Sequence, residues 1–260
     1  MVSGLSELEQ GILALVKQYH DEKFEPQLFT PGETYIPTSG MTFDSWEMQE
    51  MVSACLDFHL TAGPYVKHFE EEFARRWGVR HAMMVNSGSS ANLLALSALM
   101  APELGERRLR PGDEVITCAV GFPTTVNPIL QLGCVPVFID AFLPSCNPNV
   151  TQLGDALSEK TQAVIFAHML GNPFDVEVVA EFCREHNLWL IEDCCDALGA
   201  KYKGEQVGTQ SAIATASFYP AHHITTGEGG ACVTDDSQLH NILLSLRDWG
   251  RHCWCEPGCD

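Results

Sequence analysis

Positive charge is scarce in this sequence of 260 residues: 15 lysines and arginines stand against 34 aspartates and glutamates, a formal net charge of −19. Such a field argues against nucleic acid or an anionic membrane as partner. Lysine occurs only at Lys17, Lys23, Lys67, Lys160, Lys201 and Lys203, and none follows. No apolar run reaches the roughly 18 residues that span a bilayer. The N-terminus lacks the basic-then-apolar pattern of a signal peptide. A cytoplasmic protein is therefore expected, whose eleven cysteines are reduced thiols or metal ligands rather than a disulfide framework. Internal repeats and low-complexity segments are absent.

What is present reads as α/β. Ser6 and Glu9 form a capping box ahead of an apolar stripe (Leu8, Ile12, Leu15, Val16), which predicts a helix to about His20. Pro26, Pro31, Gly32, Pro37 and Gly40 then mark an extended arm. A helix is expected from Trp46 until Gly63-Pro64 stops it, and another from Tyr65 to Trp77. From Ala82 onward short apolar strands alternate with helical segments, as far as a helix over 238–246. Strands spaced by helices imply βαβ units and a mostly parallel sheet covered on both faces. The expected domains are a helix and arm over 1–40 and one large domain over 41–260.

Several segments carry chemistry. Asn86-Ser87-Gly88-Ser89-Ser90-Ala91-Asn92 lies between a strand and a helix, where amide groups and the helix dipole suit a phosphate. Taken alone it reads equally well as a capping turn. Asp193 ends the strand Leu188-Trp189-Leu190-Ile191-Glu192, at the sheet edge where open α/β folds bind ligands. An isolated aspartate there is more often a cap. Phe122 and His168 also follow strands, positions usually filled for structural reasons. The final segment Ser217-Phe218-Tyr219-Pro220-Ala221-His222-His223-Ile224-Thr225-Thr226-Gly227-Glu228-Gly229-Gly230 is the most distinctive.

In this order the blocks resemble the sugar aminotransferase/dehydratase family, fold type I pyridoxal phosphate enzymes, from about Ser39 to Gly250. The resemblance implies a three-layer large domain that binds the cofactor. Gly88, Ser89 and Ser217 would then hold the phosphate, Phe122 would stack on the ring, Asp193 would face the pyridine nitrogen, and His168 would lie nearby. It also implies a homodimer and a smaller C-terminal domain that this chain lacks. The departure falls at His222, where the family's aminotransferases carry the lysine that binds the cofactor covalently. A histidine moves protons near neutrality but forms no such bond. His222 thus points to non-covalently bound pyridoxamine phosphate and a catalytic proton transfer; Tyr219 either positions it or protonates a leaving hydroxyl.

The cysteines refine the resemblance. Cys195 and Cys253 are separated by 57 residues, and Cys253 and Cys255 by one. This spacing resembles that of a lysine-less branch with a [2Fe–2S] cluster, whose fourth cysteine would fall just past Asp260; Cys259 and Cys194 fit less well. Cys55, Cys118, Cys134, Cys183 and Cys232 read as small buried apolar residues. That branch removes the C3 hydroxyl of a CDP-4-keto-6-deoxyhexose in 3,6-dideoxysugar biosynthesis, with a flavin/iron–sulfur reductase as electron donor. Two alternatives stay open: a cluster-free GDP-sugar 3-dehydratase, and a non-catalytic binding subunit.

Overall fold

In a computed structural model, residues 6–24, 28–37, 40, 42–58 and 61–252 are described. Two compact units divide the chain, 1–68 and 69–260. In the first, α1 (Glu7–Lys23) opens with the expected capping box, Ser6 and Glu9 satisfying each other's backbone amides. It packs on α2 (Ser45–Leu56), where Gln49 Nε2 donates to the Leu13 carbonyl at 3.0 Å. That helix ends earlier than its sequence suggests. Phe58 takes a positive φ of 52°, and Asp57 accepts from the Tyr65 hydroxyl at 2.6 Å, so the chain turns before Gly63.

The second unit is built on a seven-stranded sheet in the order β1-β9-β8-β5-β4-β2-β3. Its strands are β1 (His81–Val85), β2 (Glu114–Cys118), β3 (Val135–Ile139), β4 (Thr161–Ala167), β5 (Trp189–Asp193), β8 (Ile213–Ser217) and β9 (Gly230–Thr234). The pairs from β8 to β3 are all parallel. Only β9 runs against its neighbours β1 and β8, because the chain returns directly from the end of β8 through the loop of residues 218–229. A small hairpin, β6 (Lys201–Tyr202) and β7 (Glu205–Gln206), stands apart, with Lys203 paired to Glu177.

Period-2 alternation explains the two covered faces. Ala163 and Ile165 point into a core with Ala91, Ala95, Leu96, Ile129 and Leu243, contributed by α4 (Gly88–Ala98), α5 (Pro123–Gln131) and α8 (Ser237–Arg247). Val164 and Phe166 point the opposite way, towards Val176, Val179 and Cys183 of α7 (Val176–Glu185) and Leu153 of the short α6 (Leu153–Ala156). On that side of β1, β8 and β9, Phe73 and Trp77 of α3 (Pro64–Trp77) pack against Phe218 and Val233. Helices thus sandwich the sheet, and the C-terminal ends of β5 and β8 open beside the N-terminus of α4.

Four of the five cysteines expected in the core are there: Cys118, Cys134, Cys183 and Cys232. Cys55, in the last turn of α2, is exposed. No helix among the described residues is long and apolar enough to cross a membrane.

Candidate active site

The site starts from Ser87, the N-cap of α4, whose hydroxyl accepts from the Ser90 amide at 3.1 Å. The cap leaves the amides of Gly88 and Ser89 without an intrahelical acceptor, at the positive end of an eleven-residue helix. Glycine is required at position 88 by packing. A Cβ there would lie 2.6 Å from the Ser217 Cβ and 2.8 Å from the Cys195 Sγ. A Cβ at Gly230, at the start of β9, would likewise lie 2.4 Å from the Ser87 carbonyl and 2.6 Å from the Gly88 nitrogen. The starts of α4 and β9 and the ends of β5 and β8 are thereby drawn to one point.

Asp193 is 4% exposed and holds three donors. Its Oδ2 accepts from Asn92 Nδ2 at 2.8 Å and from Thr125 Oγ1 at 2.7 Å. Among the described residues its Oδ1 accepts the Cys195 amide, at 3.2 Å, which leaves an acceptor position on that oxygen. Thr215 completes the network by donating to Asn92 Oδ1 at 2.7 Å. Helices α4 and α5 thus fix one face of the carboxylate. Sequence reasoning missed Asn92, Thr125 and Thr215. The available signal was a polar residue near the start of each of α4 and α5 and one inside the apolar strand β8.

Other sequence-predicted residues gather around this centre. Ser89 Oγ donates to Thr124 Oγ1 at 3.2 Å, joining the first turns of α4 and α5. Phe122, the N-cap residue of α5, is 65% exposed, so a large aromatic face lies bare beside them. Ser217 Oγ accepts the Tyr219 amide at 3.3 Å and starts the loop. That loop is closed by the Phe218 amide donating to the Gly229 carbonyl and the Thr226 amide donating to the Phe218 carbonyl. Within it, His222 Nδ1 stands 3.3 Å from Asp196 Oδ1, and the Tyr219 ring meets the imidazole edge-on at 6.3 Å.

His168 is engaged elsewhere. It is fully buried, stacks on Phe174 at 4.3 Å and accepts the Phe174 amide on Nδ1. Nε2 therefore carries the proton and donates to Glu192 Oε2 at 2.9 Å. Neither ring nitrogen is left for a ligand, so the imidazole braces the ends of β4 and β5 instead. Glu192 Oε2 also accepts the Gly208 amide at 2.9 Å.

Of the three cysteines expected to hold a cluster, Cys253 and Cys255 lie outside the described residues. Cys195 lies between Gly88 and Asp193, and burial together with the Asp193 carboxylate pushes its thiol well above the ordinary value. A thiolate there needs a cation beside it, which bound metal supplies. Cys194 is fully buried, and its thiol is raised in the same way.

The DegT/DnrJ/EryC1/StrS aminotransferase family matches residues 44–255. The chain belongs to this family. It is 53% identical over 249 residues to dTDP-4-dehydro-2,6-dideoxy-D-glucose 3-dehydratase of Saccharopolyspora spinosa, covering 96% of this chain and 54% of that protein. It is 51% identical over 253 residues to the lipopolysaccharide biosynthesis protein RfbH of Salmonella typhimurium, covering 97% and 58%. Among solved structures, an E. coli GDP-4-keto-6-deoxy-D-mannose-3-dehydratase with bound hydrated PLP superposes with a TM-score of 0.77 at 35% identity, covering 81% of this chain and 54% of that one. The chain therefore spans little more than half the length of these relatives. Its fold is the large-domain α/β fold of the type I pyridoxal phosphate enzymes.

Proposed function

We propose that the chain is the cofactor-binding part of a pyridoxamine-phosphate-dependent nucleotide-sugar 3-dehydratase of deoxysugar biosynthesis. The observation that carries this reading is His222, at the loop position where the family's aminotransferases hold their lysine, beside the cradle of Gly88, Asp193 and Ser217.

The residues present fit the cofactor. The free amides of Gly88 and Ser89 and the Ser217 hydroxyl suit its phosphate. Phe122 offers a flat face for the ring, and Asp193 Oδ1 an acceptor for a protonated ring nitrogen. When bound, the cofactor supplies an amine for the sugar ketone and an electron sink. Asn92 and Thr125 hold Asp193 aimed, since both are donors to its other oxygen. His222 takes the proton from C4′ of the cofactor as general base. Having no amine, it leaves the cofactor free to dissociate. Tyr219 is half exposed beside His222, placed to hold it or to donate a proton to the departing hydroxyl.

The finer reading has a CDP-4-keto-6-deoxyhexose as substrate, a homodimer as the working form, and a [2Fe–2S] cluster on Cys195, Cys253 and Cys255. The cluster would supply electrons one at a time from a flavin/iron–sulfur reductase. The name of the relative at 53% identity makes dTDP the rival nucleotide. The name of the matched solved structure favours, as second reading, a GDP-sugar 3-dehydratase without a cluster.

Two measurements separate these. Iron and acid-labile sulfide in anaerobically purified protein should be stoichiometric with it; a clean absence selects the cluster-free reading. Conversion of CDP-, dTDP- and GDP-4-keto-6-deoxyhexoses should be fastest with CDP. Transfer of an amine to the sugar, with a borohydride-reducible bond between cofactor and protein, would overturn the dehydratase reading itself.

A further inference from the structure

We infer that Asp196 is a positioning residue for His222, holding the imidazole as the Nδ1–H tautomer so that Nε2 is the nitrogen presented to the reaction. This rests on the assignment of His222 as base and adds the group that fixes its protonated nitrogen.

Two closed turns carry the pair. On one side, the Cys194 amide donates to the Thr215 carbonyl and the Ala197 amide to the Cys194 carbonyl. Cys194 and Ala197 are fully buried, so the segment is pinned at both ends and the Asp196 side chain projects from between them. On the other side, the His222 amide donates to the Tyr219 carbonyl at 2.9 Å, closing the turn that aims the ring. The facing atoms are Asp196 Oδ1 and His222 Nδ1, 3.3 Å apart, with the imidazole 21% and the carboxylate 43% exposed.

Asp193, three residues earlier, is not available for this task. One of its oxygens is filled by Asn92 and Thr125, and the position left beside the Cys195 amide on the other is the one that suits the cofactor's ring nitrogen. Asp196 has His222 as its one ion-pair partner among the described residues.

The chemistry follows from the pairing of atoms. An ionised carboxylate is acceptor-only, so the nitrogen facing it is favoured as the N–H. The other ring nitrogen then keeps its lone pair. A carboxylate placed against one ring nitrogen in this way selects the tautomer and orientation of the imidazole. The Tyr219 ring faces the imidazole edge-on, with the ring centroids 6.3 Å apart.

The experiment uses pyridoxamine phosphate as probe and three variants, Asp196→Asn, Asp196→Glu and His222→Asn. Long-range ¹H–¹⁵N spectra of histidine-labelled protein at alkaline pH report the tautomer of each neutral imidazole; the signal lost in His222→Asn assigns His222. In the parent protein His222 should be the Nδ1–H tautomer. In Asp196→Asn it should move to Nε2–H, and solvent exchange of the C4′ proton should fall on the order of 10²-fold. Cofactor affinity should stay within about threefold, since Asp196 holds the base and not the cofactor. Asp196→Glu should restore part of both signals.

A parent His222 in the Nε2–H form, or an Asp196→Asn protein with unchanged tautomer and exchange, would overturn the inference. Undiminished exchange in His222→Asn would instead sink the assignment of the base. The tautomer of His222 tests the Asp196 pair whichever way that second result falls.

Discussion

Gly88→Ala is a sharp test of the geometry, because two ordinary effects predict opposite signs. Alanine is the better helix former by about 1 kcal/mol in a helix interior and by less in a first turn. Against this, the new methyl would lie 2.6 Å from the Ser217 Cβ and 2.8 Å from the Cys195 Sγ. Both neighbours are anchored: Ser217 is 6% exposed at the end of β8, and the Cys195 amide is bonded to Asp193. Neither is the free end of a flexible side chain, so β8 or the start of α4 must shift. Overpacking of that kind costs about 1–3 kcal/mol. The steric effect therefore wins, and a net loss of about 1–2 kcal/mol is expected. In a unit of this size that lowers Tm by roughly 2–8 °C. Gly154→Ala in α6, where nothing lies within 4 Å of the added atom, should leave Tm unchanged or raise it slightly. Calorimetry of the two variants, with pyridoxamine phosphate titrations alongside, checks both signs. A Gly88→Ala protein as stable as the parent and with unaltered affinity would refute the convergence of α4, β5 and β8 on this point.

Other outcomes follow from the buried titratable groups and the carboxylate network. Asp193→Asn should lose about 1–3 kcal/mol in urea unfolding, because one face of the amide must oppose a donor that the carboxylate accepted. It should also weaken pyridoxamine phosphate binding by roughly 10- to 100-fold in a fluorescence titration. Burial pushes the thiols of Cys183 and Cys232 up to about 12, whereas the unfolded chain releases these protons near 9. The unfolded state then binds fewer protons above pH 9, so stability falls as pH rises, by about 1.4 kcal/mol per thiol at pH 10. Urea midpoints of Cys183→Ala at pH 7.5 and 10 should show a shallower decline than the parent's. His240 behaves in the opposite sense. Burial first, then His81 and Arg247, bring it down to about 4. Its contribution is therefore present above 6.5 and lost as pH falls towards 4, and His240→Gln should flatten the acid limb of the same curve.

Most of the fold was legible because the β strands are short runs of apolar residues that a covered parallel sheet demands. Val115 and Ile116, or Val164, Ile165 and Phe166, have no polar side to show and sit fully buried. Helix ends were less legible. The stop of α2 depends on the backbone at Asp57 and Phe58, which no glycine or proline announces. The site separates in the same way. Asp193 stood out as a carboxylate at a strand end, and His222 as a departure from a motif. Asn92, Thr125 and Thr215 did not, since their roles exist only once α4, α5 and β8 meet Asp193. Asp196 was hidden for a similar reason: 25 residues separate it from His222 along the chain, and only two closed turns bring them together. For His168 the sequence left a choice that burial answers, with both ring nitrogens bonded within the protein.

The central claim is that this cofactor site works by proton transfer through His222, without a lysine. Its most direct test is deuterium exchange at C4′ of bound pyridoxamine phosphate, followed by NMR in the parent protein and in His222→Asn. The account predicts exchange in the parent and its loss by on the order of 10²-fold or more in the variant, with the cofactor still bound. Equal exchange in both proteins would contradict it.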